Sequence, residues 1–363
     1  MVLTTDNDLA KLAFDLVSIR SVSDEEAEIT EFLEKYLADT NHLEMTKVGQ
    51  VLVARTNLGR EKRVVLAGHT DTVPISENTN NVPAQWRQIE GETHLWGRGS
   101  VDMKSGLATF AYLAKTLTEP KYDITYIFYD HEEVEAEKNG LGKLSQSRPE
   151  LMAADFAILG EPTAGNLEGG CNGTLRVRLK VRGKAAHSAR AWKGDNAIHK
   201  AARLINRIEQ VDLPPVMVDG LEYRESLSVV WITGGIAKNS IPDECVVTVN
   251  YRFAPACDGQ TALARLQDWL ADFEYDLELE DLSEGARPGL DAPLAQEFVS
   301  EVEKAGGLVG PKYGWTDVSR FSQLGVPAVN FAPGDPMLCH TDEEACPVSQ
   351  LEHCEAVLRN WLS

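Results

Sequence analysis

The sequence predicts an α/β protein that carries an inserted α+β domain, and three observations support this. Apolar runs at 64–67, 124–129 and 155–159 are short and continuous, as in strands covered on both faces. Helical periodicity accompanies them at 6–18, after Asp24 and from Leu107, which calls for a mixed, mostly parallel sheet covered by helices. From Thr174 the pattern changes: Leu175, Val177, Leu179 and Val181 alternate with Arg176, Arg178, Lys180 and Arg182. That is a strand with one wet face, and so an antiparallel one.

In chain order, Leu9, Leu12, Ala13, Leu16 and Val17 mark a first helical face, and Ile29, Phe32, Leu33 and Tyr36 a second. Residues 43–56 alternate as strands around Gly49, before the strand at 64–67. From Pro74 to Glu92 the composition turns polar, which predicts a long surface loop. Gly97, Gly99 and Gly106 then surround Asp102, just before a helix bearing Leu107, Phe110, Ala111, Ala114 and Leu117. Asp102 is therefore expected at a strand-to-helix junction. The alternating strand at 174–182 is followed by a helix after Asp195, strands at 227–233 and 245–253, a helix at 260–272 and a strand at 275–280. This β-α-β-β-α-β order predicts a ferredoxin-like insertion. The domains are expected as 1–173 with 286–363, and 174–285. A helix at 293–305, a strand at 326–331 and a helix at 349–361 return to α/β character.

Polar residues collect where the buried strands stop. The run at 64–67 ends in Gly68-His69-Thr70-Asp71, and residues two apart on a strand face the same side, so His69 and Asp71 can share a pocket. Open α/β sheets build their sites at such carboxyl ends. The run at 124–129 enters Asp130-His131-Glu132-Glu133, where adjacent desolvated carboxylates repel unless a cation neutralises them. The third run ends in Gly160-Glu161-Pro162, and after the last strand comes Cys339-His340-Thr341-Asp342-Glu343. Taken singly, these could be a hydrogen-bonded histidine, a helix cap at Asp102 and solvated turn carboxylates. Together, His69, Asp102, Glu132, Glu133, Glu161 and His340 form an oxygen and nitrogen donor set without thiolate, suited to zinc, cobalt or manganese. Two divalent ions fit better than one. Three ligand carboxylates and one bridging anion balance four positive charges, and ions ~3.5–4 Å apart need a carboxylate between them.

Composition narrows the partners. Across 363 residues, Lys plus Arg total 35 against 56 Asp plus Glu, a net charge of −21 that repels nucleic acid and anionic membranes. A small-molecule substrate is expected. The opening residues show no basic segment followed by an apolar one, and no run reaches the ~18 apolar residues of a membrane span, so a cytoplasmic location is expected. The six cysteines form no CxxC pair and read as reduced thiols.

The motifs GHTDTVP (68–74), GRGSVDMKSG (97–106), HEE (131–133), GEP (160–162) and the late His340 occur in a family's order over nearly the full chain. The chain resembles the co-catalytic zinc amidohydrolases and peptidases, a family that includes succinyl-diaminopimelate desuccinylase, acetylornithine deacetylase, aminoacylase and glutamate carboxypeptidases. The resemblance implies a zinc-peptidase-like catalytic domain whose insertion serves as lid and dimerisation domain of a homodimer. It implies two divalent metal ions, zinc foremost with cobalt or manganese as alternatives. His69 and Glu161 would hold one ion, Glu133 and His340 the other, and Asp102 would bridge them. Asp71 would orient His69, and Glu132 would be the general base. A cis peptide bond between Asp102 and Met103 is implied too. His187, in Gly183-Lys184-Ala185-Ala186-His187-Ser188-Ala189, matches a lid histidine that reaches the neighbouring subunit's oxyanion.

The resemblance also bears on the substrate. Asn239-Ser240-Ile241-Pro242, Tyr251-Arg252-Phe253 and the stretch from Gly314 to Phe321 are similar to desuccinylase elements that meet substrate carboxylates, which implies contacts from Asn239, Arg252, Thr316 and Arg320. Trp315 and Val318 depart from the usual loop, His340-Thr341-Asp342-Glu343 departs from a commoner form with asparagine before the glutamate, and Cys171 stands where better-known desuccinylases carry arginine, a loss that Arg176 or Arg178 could offset. Arginine forks suit a dianionic acyl substrate. The expected reaction is hydrolysis of the amide of N-succinyl-L,L-2,6-diaminopimelate, in lysine and cell-wall precursor biosynthesis. Deacetylation of acetylornithine, or hydrolysis of a related N-acyl amino acid, is the alternative. A non-catalytic binding protein on this fold would have lost the base or a ligand, and all are present.

Overall fold

Four strands parallel to one another, Asp123–Tyr129, Arg63–His69, Phe156–Leu159 and Ala328–Asn330, lie side by side at the centre of an eight-stranded sheet in the computed structural model, which describes residues 7–363. An antiparallel strand flanks them on each side, Val51–Arg55 on one and Leu167–Gly169 on the other, with Glu44–Val48 beyond the first and Val309–Pro311 beyond the second. Asp123–Tyr129 and Phe156–Leu159 are buried throughout, which is why they read as unbroken apolar runs. Helices Asp8–Ser18, Ala27–Leu37, Lys104–Thr116, Pro293–Lys304 and Val348–Leu362 add Leu16, Leu33, Phe110, Phe298 and Trp361 to one core with Tyr126 and Ile158. Each such fully buried side chain contributes roughly 1.5–3 kcal/mol. The first helix begins where the Asn7 side chain accepts from the Leu9 and Ala10 N–H groups.

The region expected as one long surface loop is partly a hairpin. Gln85–Ile89 pairs with Glu92–Trp96 around Glu90 and Gly91, whose φ values of 53° and 87° suit a tight two-residue turn, and Ala345–Pro347 adds a third strand. Polarity misled because this strand is mostly exposed; its anchor is Trp86, stacked on Phe14 at 5.1 Å.

The chain forms two compact units: residues 7–170 with 288–310 and 316–363, and residues 171–287 with 311–315. The second unit therefore starts at Cys171, ends at Arg287 and takes in Pro311–Trp315, where the sequence placed it at 174–285. Cys171 exchanges both backbone bonds with Ala286, and Trp315 donates its indole N–H to the Glu284 carbonyl, which ties these residues to it. Its sheet runs Ser226–Gly234, Glu244–Phe253, Gly173–Arg182, Asp276–Ser283, all antiparallel. With helices Ala197–Glu209 and Gly259–Trp269 this is the ferredoxin-like β-α-β-β-α-β arrangement. Leu175, Val177, Leu179 and Val181 face these helices through Ala201, Leu204, Ala262 and Leu266. The alternate residues pair across strands on the other face, Arg176 with Glu280 at 3.3 Å and Lys180 with Glu244 at 3.5 Å.

All six cysteines are free. Among the described residues no helix is long and apolar enough to cross a membrane.

Candidate active site

Register explains how distant residues meet. His69 pairs with Tyr129 and Ala67 with Leu159 across the parallel strands, so three strands stop at one level. His69 closes its strand, while Glu132 and Glu133 follow Tyr129, and Glu161 follows Leu159, within three or four residues. Asp102 sits just before the helix Lys104–Thr116, and its peptide bond to Met103 is cis, as the resemblance implied. His340 follows a short 3-10 turn, Pro336–Leu338, at φ 63°.

Asp102 stands between the two histidines. Its Oδ1 lies 3.2 Å from His69 Nε2, and its Oδ2 lies 3.4 Å from His340 Nε2. Glu161 Oε1 is 3.9 Å from His69 Nε2, and Glu133 Oε1 is 3.2 Å from His340 Nε2. One histidine and one glutamate thus gather on each side of a shared aspartate. Asp71 is fully buried behind them: its carboxylate accepts from the N–H groups of Glu132 at 2.9 Å and Glu133 at 3.1 Å and from the Ser23 hydroxyl at 2.7 Å, and its Oδ1 lies 3.5 Å from His69 Nδ1.

The cluster is short of positive charge. Burial pushes the Glu132 carboxyl well above its ordinary range, and the like charges of Glu161, Glu133 and Asp317 add to this against the pull of His69. Burial and Asp102 raise Glu133 too. Full burial favours a neutral His69 ring, yet Asp102 and Asp71 hold it well above the usual imidazole range. His340 is pushed up to about 10 by its bonds to Asp102 and Glu133. Divalent cations would offset this crowding of buried carboxylates. Ligand atoms of His69, Asp102 and Glu133 lie within 4.8 Å of one another, which fits such an ion.

The remaining expected residues divide between the units. In the first, Thr316 is buried with its hydroxyl 2.9 Å from Asn330 Oδ1, and Arg320 is drawn into an ion pair with the fully buried Asp317, which also accepts from Asn139 at 2.9 Å. Arg320 thus already serves an internal carboxylate. In the second unit, His187 pairs with Ser240, and the Ser188 N–H bonds the Asn239 carbonyl at 2.9 Å, so His187 and Asn239 are neighbours. Arg252 lies near the end of Glu244–Phe253, with Nε 3.1 Å from Asn250 Oδ1. Sequence reasoning missed Ser23, Arg98 and Glu344. The position of Arg98 inside the GRGSVDMKSG motif was the available signal.

Candidate ligands just past the ends of parallel strands, and an aspartate between two His/Glu pairs, fit a metal-dependent amidohydrolase. The chain belongs to peptidase family M20/M25/M40, whose model matches residues 65–363. It is 47% identical over 356 residues, 98% of each chain, to a Mycobacterium tuberculosis protein provisionally named succinyl-diaminopimelate desuccinylase DapE. It is 43% identical over 357 residues to the succinyl-diaminopimelate desuccinylase of Corynebacterium glutamicum, covering 96% of this chain and 94% of that one. Among solved structures, it is similar to the Bacillus subtilis YXEP protein, a dinuclear metal-binding peptidase of the M20 family, with a TM-score of 0.70 at 16% identity over 97% of this chain and 96% of that one.

Proposed function

We propose that this enzyme hydrolyses the amide of N-succinyl-L,L-2,6-diaminopimelate, releasing succinate and L,L-diaminopimelate. The observation that carries the amidohydrolase chemistry is Asp102 between His69 and His340, one carboxylate oxygen toward each. The substrate rests on the two relatives that bear this activity in their names and match nearly the whole chain at 47% and 43% identity. Acetylornithine deacetylation is not favoured by those relatives.

His69 and Glu161 would hold one divalent ion and Glu133 and His340 the other, with Asp102 available to both; zinc suits these donors, and cobalt or manganese would also fit. When bound, such ions polarise an amide carbonyl and make a water acidic near neutral pH. Glu132 is the base that takes the water's proton and returns it to the departing amine. Its backbone N–H is held by the Asp71 carboxylate, and His69 Nδ1 faces the Asp71 carbonyl at 3.0 Å and its carboxylate at 3.5 Å, so one residue orients His69 and fixes the base. His187 supplies a donor to the oxyanion, and Asn239, Arg252, Thr316 and Arg320 meet the substrate, Arg320 after exchanging its hold on Asp317.

The protein works as a cytoplasmic homodimer in this reading, joined through the inserted domain, each His187 serving the neighbouring subunit. The edge strand Ser226–Gly234 supports this, since it leaves Val230, Trp231 and Ile232 exposed at 53%, 69% and 49%. The test is amide release from succinyl-diaminopimelate, acetylornithine and a dipeptide with zinc added. The succinyl substrate should give the highest kcat/KM; preference for acetylornithine would overturn the substrate and leave the amidohydrolase.

A further inference from the structure

A buried ion pair lies behind the ligands, outside every role assigned above. Glu344 is 1% exposed and Arg98 5% exposed, a placement that charged side chains adopt only when their bonding is satisfied. Glu344 Oε1 accepts from the N–H groups of Val101 at 3.0 Å and Asp102 at 3.1 Å. Its Oε2 accepts from Arg98 Nη1 at 2.9 Å. The same guanidinium donates to the Pro74 carbonyl at 3.2 Å and to the Thr341 carbonyl at 3.3 Å. Pro74 lies five residues after His69, in the connection from Arg63–His69 to Gln85–Ile89, and Thr341 follows His340 directly.

We propose that Arg98 and Glu344 are positioning residues, a clamp that sets Asp102 against His69 and His340 by tying together the three segments that carry or follow them. A fork with several N–H groups in one plane can bind two carbonyls and a carboxylate at once, which a lysine cannot. Glu344 acts through the backbone: it fixes the Asp102 N–H and leaves both Asp102 side-chain oxygens for the histidines. Other contacts brace the same junction. The Trp96 indole N–H donates to the Asp342 carbonyl at 3.0 Å, and the Gly97 N–H donates to the Glu344 carbonyl at 3.2 Å. Polar groups that orient metal ligands from behind typically govern affinity by about 10–100-fold.

The inference rests on the two-metal reading above, and the test separates the two. Purified full-length protein is titrated with zinc against a chromophoric chelator, and its melting is followed with and without zinc. Wild type should bind two ions. In Glu344→Gln the amide still accepts from the backbone, but its NH2 faces Arg98, donor against donor. At least one of the two zinc affinities should fall tenfold or more, and the rise in melting temperature on adding zinc should shrink with it. Arg98→Lys keeps a positive charge toward Glu344 but cannot hold both carbonyls and the carboxylate at once; its zinc affinity should fall in the same direction, and it reads the clamp if Glu344→Gln fails to fold. If the variants melt lower without metal yet bind both ions as wild type does, the pair is only structural and the clamp is wrong. Arg98→Lys with wild-type zinc affinity also overturns it. If wild type binds fewer than two ions, the two-metal reading fails and the clamp falls with it.

Discussion

Replacing Asp71 by asparagine should uncouple the base and the metal site in one step. The carboxylate is fully buried and holds three donors: the Glu132 N–H at 2.9 Å, the Glu133 N–H at 3.1 Å and the Ser23 hydroxyl at 2.7 Å. Burial opposes its ionisation, but His69, Ser23 and the Glu132 N–H outweigh that and keep it below the usual carboxylate range. Asparagine has the same shape but only one acceptor oxygen. With that oxygen toward Glu132 and His69, the new NH2 faces the Glu133 N–H, while Ser23 can turn to accept. One charge-assisted hydrogen bond is therefore lost outright, at about 1.5–3 kcal/mol. If that loss appears in ligand placement, affinity or turnover should fall by about ten- to 150-fold, since 1.4 kcal/mol is tenfold. Zinc competition against a chelator reads the first and amide release at saturating zinc the second. Asp71→Asn with zinc affinity and kcat both within twofold of wild type would refute the argument.

Further outcomes follow from the same geometry. In the metal-free protein His340 is pushed up to about 10 from 6.5, so its ion pairs contribute stability that is complete below about pH 6.5 and is lost as pH rises toward 10. The stability of metal-free wild type against denaturant should fall between these limits more than that of His340→Ala, and equal slopes would contradict the pairing. Arg252→Ala should lower kcat/KM for succinyl-diaminopimelate at least thirtyfold, because a desolvated substrate carboxylate left unpaired costs roughly 2–5 kcal/mol; Arg252→Lys should recover only part of this, and unchanged kinetics in the alanine variant would remove Arg252 from the substrate site. Mixing His187→Ala with Glu132→Gln subunits should regenerate one working site per mixed dimer, and inactive dimers shown to be mixed would argue against sharing across the interface.

Much of the architecture was legible because burial on both faces leaves unbroken apolar runs. Val64, Ile124 and Phe156 open such runs, and the polar residues just beyond them, His69, Glu132 and Glu161, mark the site. The alternation from Leu175 to Arg182 gave away the antiparallel insertion in the same manner. What stayed hidden depends on partners that periodicity does not reveal. Trp86 anchors a strand whose other residues face water, so the hairpin at 85–96 looked like loop. Arg320 follows Asp317 by three residues on one short helix, and only the fold shows that the pair closes on itself. Glu344 lies in a polar stretch, and its acceptors' partners, the N–H groups of Val101 and Asp102, are more than two hundred residues away.

In the proposed mechanism Glu132 moves the proton, at a centre whose ions other residues would hold. The most direct test is Glu132→Gln, with metal content and turnover measured on the same preparation. The account predicts two zinc ions per chain, as in wild type, and a kcat lower by about 10²–10⁴-fold, the range over which a positioned base contributes. A variant that keeps both ions and more than a tenth of the wild-type kcat would contradict the assignment of the base.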